Sequence, residues 1–228
     1  MPTNQNGFRN QLIKIISRWL TLSHRHQEAT DAMAVAQHRM NCILPQVLLD
    51  FYEVIYGTCI MDVFNRFFSP SEFRLDGDKI IFAEENQAVV QWAINRQIRG
   101  EEYVVYQRQE GGVWNEEASP LDEFLLQMLI LQLTNGALSF SGFAELPDAV
   151  FVLFDKDLTR VFTSDRRSEF DAFETEDVLL CVVGGFGSRQ LICASNSSLP
   201  IRDLGNRYSL DIMISDNDEI TRSNSGAR

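Results

Sequence analysis

Helical spacing of apolar residues dominates the first 60 residues of the chain. One stripe recurs every three or four positions and predicts a first helix from Phe8. A weaker pattern over 28–40 predicts a second helix. A third begins at Pro45, a residue tolerated in a first helical turn, and ends near Gly57. The apolar positions of the three helices are Phe8, Leu12, Ile15, Ile16 and Trp19; Ala29, Met33, Ala36 and Met40; and Leu48, Phe51, Tyr52 and Ile55.

The central part of the chain changes to strand-like patterns. Two apolar runs, Ile80–Ala83 and Ala88–Ile94, flank the polar block Glu84-Glu85-Asn86-Gln87 and predict paired strands with a four-residue connection. In the second run, Gln91 alternates with Trp92, so the two side chains lie on opposite faces. A third strand is predicted over Glu101–Gln107.

A helix start follows at Ser119, whose hydroxyl is placed to accept a hydrogen bond from the Asp122 N–H. The run from Leu121 to Leu133 is apolar on most sides and predicts a largely buried helix. Together these elements predict an α+β fold with N-terminal helices packed on a mixed or antiparallel sheet.

The C-terminal third contains five short β-type runs separated by turn-forming residues: Ala149–Phe154, Arg160–Thr163, Val178–Gly184, Gln190–Ala194 and Tyr208–Ile214. They predict a hairpin-rich extension that either lengthens the central sheet or forms a sheet of its own. The predicted organisation is a flexible segment 1–7, one domain over 8–214 (core 8–136, β-rich extension 137–214), and a disordered polar tail over 215–228.

Charge narrows the classes of partner. The net charge of −12 and pI near 4.7 disfavour direct nucleic-acid binding, which depends on Lys and Arg replacing phosphate counterions. An acidic surface favours a basic protein partner through electrostatic steering, although acidity also serves solubility alone. The N-terminal stretch has no signal-peptide pattern and no apolar run reaches 18 residues, so we expect a soluble, cytoplasmic protein without membrane contact.

The sequence carries no enzyme signature that holds up, and we expect neither a metal nor another cofactor. The pair Glu84-Glu85 sits on a turn, where adjacent carboxylates diverge and stay hydrated. His24 and His26 point apart at a spacing of two, and the four cysteines have no C-x-x-C spacing. Gly184-Gly185-Phe186-Gly187 is better explained as a hairpin turn than as a phosphate loop, and Asp155-Lys156-Asp157 as a solvated turn. Trp92 is expected in the core. For Trp114 the sequence leaves two alternatives, a core residue or an exposed anchor for a binding partner.

Several segments together resemble the SUKH superfamily, which groups a fungal cell-wall regulator with bacterial immunity proteins. They are FAEENQ followed by W-A-I, LPQVLLDFYEVIYG at Leu44–Gly57, SPSEF at Ser69–Phe73, and Trp114 followed by SPLDEFLLQML at Ser119–Leu129. The resemblance covers roughly 8–136. Where many members have Asp-Pro ahead of a strand, this chain has Gly100-Glu101-Glu102-Tyr103, so contacts of that loop are not carried over.

The resemblance implies an α+β fold and a non-enzymatic protein-binding function. The first hypothesis is an immunity-type protein that neutralises a cognate, basic toxin by occlusion; the alternative is an intracellular regulatory scaffold. Structural motif residues are expected at Leu44, Pro45, Phe82, Trp92 and Phe124. Candidate partner-binding residues are Glu84, Glu85, Asn86, Gln87, Glu101, Glu102 and Trp114.

Overall fold

The structure, a computed structural model, describes residues 5–21, 26–97, 103–164, 169–185 and 188–217. Over these residues the fold is α+β with antiparallel sheets, which confirms the predicted class. The chain divides into two compact units, Met1–Met128 and Leu129–Arg228. The sequence predicted one domain over 8–214, with its core ending at 136.

The first unit begins with three helices and continues into six strands and the start of a fourth helix. The helices are α1 (Gln5–Trp19), α2 (His26–Met40) and α3 (Gln46–Ile55). The strands are β1 (Arg66–Phe67), β2 (Arg74–Asp76), β3 (Lys79–Glu84), β4 (Val90–Asn95), β5 (Val104–Gln109) and β6 (Asn115–Pro120), and α4 is Leu121–Gln132.

The predicted apolar stripes are the buried faces of the three N-terminal helices. The four positions predicted for α2 are all buried, and α3 contacts both α1 and α2. Tyr52 of α3 is fully buried, and its hydroxyl donates to the Phe68 carbonyl oxygen at 2.7 Å. This bond satisfies the only polar atom of the ring, so an aromatic side chain with a hydroxyl fits an otherwise apolar site.

The sheet of the first unit has the strand order β1-β3-β4-β5-β6, with β2 also paired to β3. The predicted β3–β4 hairpin is present, with Ile80 opposite Ile94. The third strand is shifted from its predicted bounds: β5 begins at Val104 and continues to Gln109. Glu101 and Glu102, predicted in this strand, lie outside the described residues.

The start of α4 differs from the prediction. Ser119 lies in β6, and its hydroxyl accepts from the Gln127 side-chain amide at 3.0 Å instead of capping the helix. The helix begins at Leu121, and the Asp122 carboxylate accepts the Glu123 N–H at 3.0 Å. Strand pairing of Pro120 with Val104 keeps this segment extended for one residue longer than the capping motif predicted.

The second unit contains a separate sheet, which answers the question that the sequence left open. Its strand order is β12-β7-β11-β10-β9-β8, all antiparallel. The elements are a π-helical turn (Leu133–Ala137), β7 (Phe140–Leu146), α5 (Asp148–Asp157), β8 (Thr159–Thr163), β9 (Phe170–Glu174), β10 (Leu179–Gly185), β11 (Ser188–Ser195), α6 (Ser198–Tyr208) and β12 (Met213–Asp216).

The prediction of a strand over Ala149–Phe154 is wrong, because this run lies within α5. The run is apolar throughout, and a continuous apolar run does not distinguish a buried strand from a buried helix. Pro147 immediately precedes the helix, and its carbonyl oxygen accepts the Phe151 N–H at 3.0 Å. Phe154 is fully buried against Phe173 and Tyr208. Tertiary packing of one helical face therefore decides the structure.

The predicted strand Tyr208–Ile214 is also misplaced. Tyr208 is the last residue of α6, and the strand is Met213–Asp216. Ser197 caps α6 through its hydroxyl, and Ser209 ends it in the left-handed conformation at φ 53°. The sequence analysis did not identify α6, nor the strands β7 and β9. The β-runs at 160–163, 178–184 and 190–194 are confirmed as β8, β10 and β11.

The ends of the described chain differ from the predicted flexible segments. Helix α1 begins at Gln5, inside the segment 1–7. At the other end, Ser215 and Asp216 pair with β7, and the Asn217 side-chain amide donates to the Leu138 carbonyl oxygen at 2.8 Å. The remainder of the predicted tail, 218–228, lies outside the described residues.

Candidate functional site

One face of the first sheet carries a network centred on Arg108. Arg108 lies opposite Gln91 in the β4–β5 register, and its Nε and Nη2 donate to the Gln91 Oε1 at 3.3 and 3.1 Å. The guanidinium also forms an ion pair with Asp76 and lies over the Trp114 ring, 4.3 Å from the centroid. The Trp114 Nε1 donates to the same Asp76 carboxylate at 3.1 Å. Asp76, Arg108 and Trp114 therefore hold one another in place.

The contact between Asp76 and Arg108 requires the sheet to curl. Asp76 is on β2 and Arg108 on β5, so two strands, β3 and β4, separate them in the pairing order. In a flat sheet three strand spacings amount to about 14 Å, beyond the combined reach of the two side chains. The face that carries the network is therefore concave.

A second polar group continues along the same face. Lys79 donates to Asn95 Oδ1 at 2.6 Å, and its ammonium lies 3.9 Å from the centre of the Tyr106 ring. The Tyr106 hydroxyl donates to Glu116 Oε1 at 3.4 Å and accepts from Asn95 Nδ2 at 3.2 Å. Each cation on this face is thus matched by an anion, an amide or an aromatic ring. Such a face is rigid and provides oriented hydrogen-bonding groups.

The predicted anion Glu84 is neutralised within the protein. It sits at the end of β3, and its carboxylate pairs with Arg66 at 3.2 Å and Arg74 at 3.6 Å. Both guanidinium groups also lie over the Phe68 ring. Because only 15% of the Glu84 side chain is exposed and two cations contact it, Glu84 organises the sheet edge and contributes little negative potential to a partner.

The remainder of the block 84–87 forms the β3–β4 turn. The Glu85 side chain accepts the Gln87 N–H at 3.0 Å, and the Glu85 carbonyl accepts the Ala88 N–H at 2.7 Å. Ala88 follows with a left-handed φ of 59°. Asn86 and Gln87 are exposed. The turn therefore directs Asn86 and Gln87 into solvent while Glu85 shapes its backbone.

The opposite face of the sheet holds two of the predicted structural residues, Phe82 and Trp92, packed against a third, Phe124. Phe82 and Trp92 are buried and contact Phe124 of α4, with ring centroids 6.2 and 5.9 Å away. The Trp92 Nε1 donates to Glu117 Oε1 at 2.9 Å. Burial raises the pKa of the Glu117 carboxyl above its ordinary value, and the Trp92 hydrogen bond opposes part of that rise. Trp92 is a core residue, as predicted.

Two exposed valines lie at the end of the sheet formed by the β3–β4 and β5–β6 turns. The start of β4 pairs with the end of β5, Val90 opposite Gln109, so the two turns share one end of the sheet. Val89 is 48% exposed and Val113 is 77% exposed. The Glu110 N–H donates to the Val89 carbonyl at 3.1 Å and joins the turns directly. We define the hairpin-tip patch as Glu85, Asn86, Gln87, Val89, Glu110, Val113 and Trp114.

The structure brings together some of the predicted site residues and separates others. Glu85, Asn86, Gln87 and Trp114 share the hairpin-tip patch, whereas Glu84 is held at the sheet edge. Leu44 and Pro45 are buried ahead of α3, where the Leu44 N–H donates to Gln37 Oε1 at 2.8 Å. Glu101 and Glu102 lie outside the described residues. The sequence analysis did not single out Val89, Val113, Asp76, Gln91 or Arg108 as site residues.

The histidines, cysteines and long helices are the other features that bear on chemistry or on membrane contact. No group of three or more His, Cys, Asp or Glu side chains is placed to hold a metal ion within the described ranges. His24 lies outside those ranges, and His26 lies 3.4 Å from Glu53. Cys181 and Cys193 are buried, and burial raises the pKa of each thiol to about 12. Among helices in the described residues, none is long and apolar enough to cross a membrane.

Comparison with known proteins returned no matching family model, no similar curated protein and no similar solved structure.

Proposed function

We propose that this protein is a non-enzymatic protein-binding module of the immunity type, acting in the cytoplasm to neutralise a cognate basic toxin by occlusion. The observation that carries the proposal is the presence of two exposed valines, Val89 and Val113, and of Trp114 on two hydrogen-bonded turns at one end of the first sheet. Tryptophan is enriched among the few anchors that supply most of the binding energy at protein interfaces, and the two valines widen the apolar surface around Trp114.

The neighbouring charges favour a basic partner. Glu110 is exposed beside Val89, and Glu116 is exposed on β6 after Trp114. Arg108, the cation nearest to Trp114, is already paired with Asp76. An apolar centre with an acidic rim agrees in sign with the net charge of −12. The acidic rim would accelerate association with a basic partner, and the valines and Trp114 would provide the contact area. The resemblance of residues 8–136 to the SUKH superfamily supports the same class of function.

The regulatory scaffold is the second candidate, and the division of the chain into two compact units favours it. Each unit has exposed apolar side chains of its own, including Val113 in the first and Val152 in the second. A scaffold would use both units and bind several partners.

The test is a pull-down from native cell extract at low and high salt, followed by mass spectrometry. We expect wild-type protein to recover one basic protein, with weaker recovery at high salt because screening reduces the electrostatic contribution. Val89→Asp combined with Val113→Asp should abolish recovery. Val152→Asp, a matched change of an exposed valine in the second unit, should leave it intact.

Three outcomes would count against the immunity proposal. Unchanged recovery by the double variant would remove the hairpin-tip patch as the binding surface. Several unrelated partners would favour the scaffold. Recovery of an acidic partner would contradict the role of the acidic rim. A charge-reversed variant, Glu110→Lys with Glu116→Lys, should slow association with a basic partner by about tenfold and leave dissociation nearly unchanged.

A further inference from the structure

A groove of about 380 Å³ lies in the second unit between the β9–β10 turn and α6. Its apolar lining is provided by Val178 and Leu204, both buried, and by Leu199 and Pro200 from the first turn of α6. Leu199 is 61% exposed, so apolar surface continues from the floor of the groove to its rim. The volume is at the small end of the range for ligand sites in proteins.

Carboxylates surround this apolar lining. Glu176 and Asp177 lie on the turn, and Asp203 lies on α6. Arg207 also lines the groove, but its guanidinium pairs with Asp157 of α5 at 3.4 Å and lies over the Tyr208 ring. The charge of Arg207 is thus balanced by an acid that does not line the groove. Asp177 on the turn and Asp203 on α6 give the lining an excess of negative charge.

The walls of the groove are fixed before any ligand binds. The Thr175 hydroxyl accepts the Asp177 and Val178 N–H groups at 3.3 and 3.0 Å, and the Thr175 N–H donates to the Val178 carbonyl at 2.9 Å. On the other side, the Ser197 hydroxyl caps α6. Preformed walls lower the entropic cost of binding.

We propose that this groove binds a lysine side chain of a protein partner. The aliphatic stem of lysine fits an apolar floor, and its ammonium is a compact charge that carboxylates on two different elements can approach together. The exposed Leu199 favours a peptide source, because an apolar residue next to the lysine would cover it. A free diamine carries a second charge in place of that apolar contact. The groove belongs to the second unit, so this inference does not depend on the hairpin-tip patch.

The test is a two-dimensional NMR titration of the full chain with the capped tetrapeptide acetyl-Gly-Lys-Leu-Gly-amide. We expect saturable shifts over 175–178 and 199–207, with a Kd on the order of 1 mM. Asp203→Asn should raise this Kd by about 1.5- to fivefold, the usual effect of losing one solvent-exposed charge contact. Glu145→Gln, an exposed carboxylate on β7, is the matched control and should leave the Kd unchanged.

Two further ligands make the result specific. The same tetrapeptide with glutamine in place of lysine should not saturate, because it retains the leucine but lacks the charge. Cadaverine should bind more weakly than the lysine peptide. The proposal is overturned if shifts spread over surface carboxylates without saturation, if Asp203→Asn binds as wild type does, or if cadaverine binds as tightly as the peptide.

Discussion

The two sheets of this protein carry opposite kinds of side chain on their central strands. In the first unit, β4 and β5 carry Gln91, Tyr106 and Arg108 on one face, all partly accessible and joined by hydrogen bonds or ring contacts. In the second unit, four successive residues of β10, Leu179 to Val182, are each at most 1% exposed. One sheet has a polar face, and the central strand of the other is buried on both faces.

This difference affects how much each sheet contributes to the stability of the fold. Burial of apolar surface is the main favourable term in folding, and a strand buried on both faces contributes to it at every position. A polar face contributes less, since its hydrogen bonds replace bonds to water. The hydrogen bonds and ring contacts of this face instead hold Trp114 in a fixed position, on a turn that also carries an exposed valine. We therefore propose that the first sheet carries the main surface for recognising a protein partner, whereas the buried strands of the second sheet mainly stabilise their own unit.

The largest expected effect concerns the thiols of the second sheet. With a pKa of about 12, Cys181 and Cys193 have about one thiolate in ten thousand at pH 8. In the native protein, titration with a thiol-specific reagent should modify the exposed Cys59 first. Cys181 and Cys193 should react at least about a hundredfold more slowly, and at ordinary rates after denaturation. Comparable rates for the four cysteines in the native protein would contradict a core closed on both faces.

The second prediction concerns a substitution that removes the central aromatic side chain of the second unit's core. Phe173 is fully buried and contacts both Phe151 and Phe154. Phe173→Ala should lower the free energy of unfolding of the second unit by about 3–5 kcal/mol, from lost burial and the cavity left behind. Val152→Ala, at a 66% exposed position of α5, should change it by less than about 0.5 kcal/mol. Urea denaturation followed by circular dichroism measures both, and equal losses would show that Phe173 is not central to the packing.

A smaller effect is expected from the network of the first sheet. A double-mutant cycle with Asp76→Ala and Arg108→Ala should give a coupling energy of about 1 kcal/mol, since the pair is partly shielded from solvent and shares Trp114. The same cycle on Asp148 and Arg189, where the Asp148 side chain is 86% exposed, should give a coupling near zero. If both cycles give the same value, the network does not organise the polar face.

The smallest effect is a pH dependence at Glu117. Burial penalises its charged form, so its pKa in the folded protein lies above the ordinary value of 4.5. Stability should therefore fall as pH rises from that value through the folded-state pKa. Glu117→Gln keeps an acceptor for the Trp92 N–H and removes this penalty, so its stability relative to wild type should increase between pH 4 and pH 7.

The control for this prediction is Glu116→Gln, a change of the exposed neighbour on β6. Denaturation curves of the two variants and wild type are compared over the same pH range. A Glu117→Gln difference that stays constant or shrinks as pH rises would contradict the raised pKa.

The sequence predicted the elements whose pattern is set locally. The helical spacing of Met33, Ala36 and Met40 identified the buried face of α2, and the apolar run 178–184 identified β10. The sequence-based prediction was wrong at α5, because an apolar run of six residues is compatible with either a strand or a helix. The choice is made by Phe154 packing against Phe173, a contact that the local sequence does not encode.

The candidate site was predicted only in part, for a related reason. Trp114 and the turn residues Asn86 and Gln87 were identifiable from residue type and turn chemistry. The partnership of Asp76 with Arg108 depends on strand register and sheet curl, neither of which can be read from residues 32 positions apart. The neutralisation of Glu84 by Arg66 and Arg74 depends on the pairing of β1 and β2 with the same strand.

The central claim is that a protein partner binds the hairpin-tip patch of the first unit. Hydrogen exchange followed by mass spectrometry, with and without the protein recovered in the pull-down, tests it most directly. We predict that binding slows exchange of backbone amides over 85–90 and 109–114, and that the buried strand β10 keeps its protection unchanged. Protection that appears only in the second unit, or nowhere in these two turns, would contradict the claim.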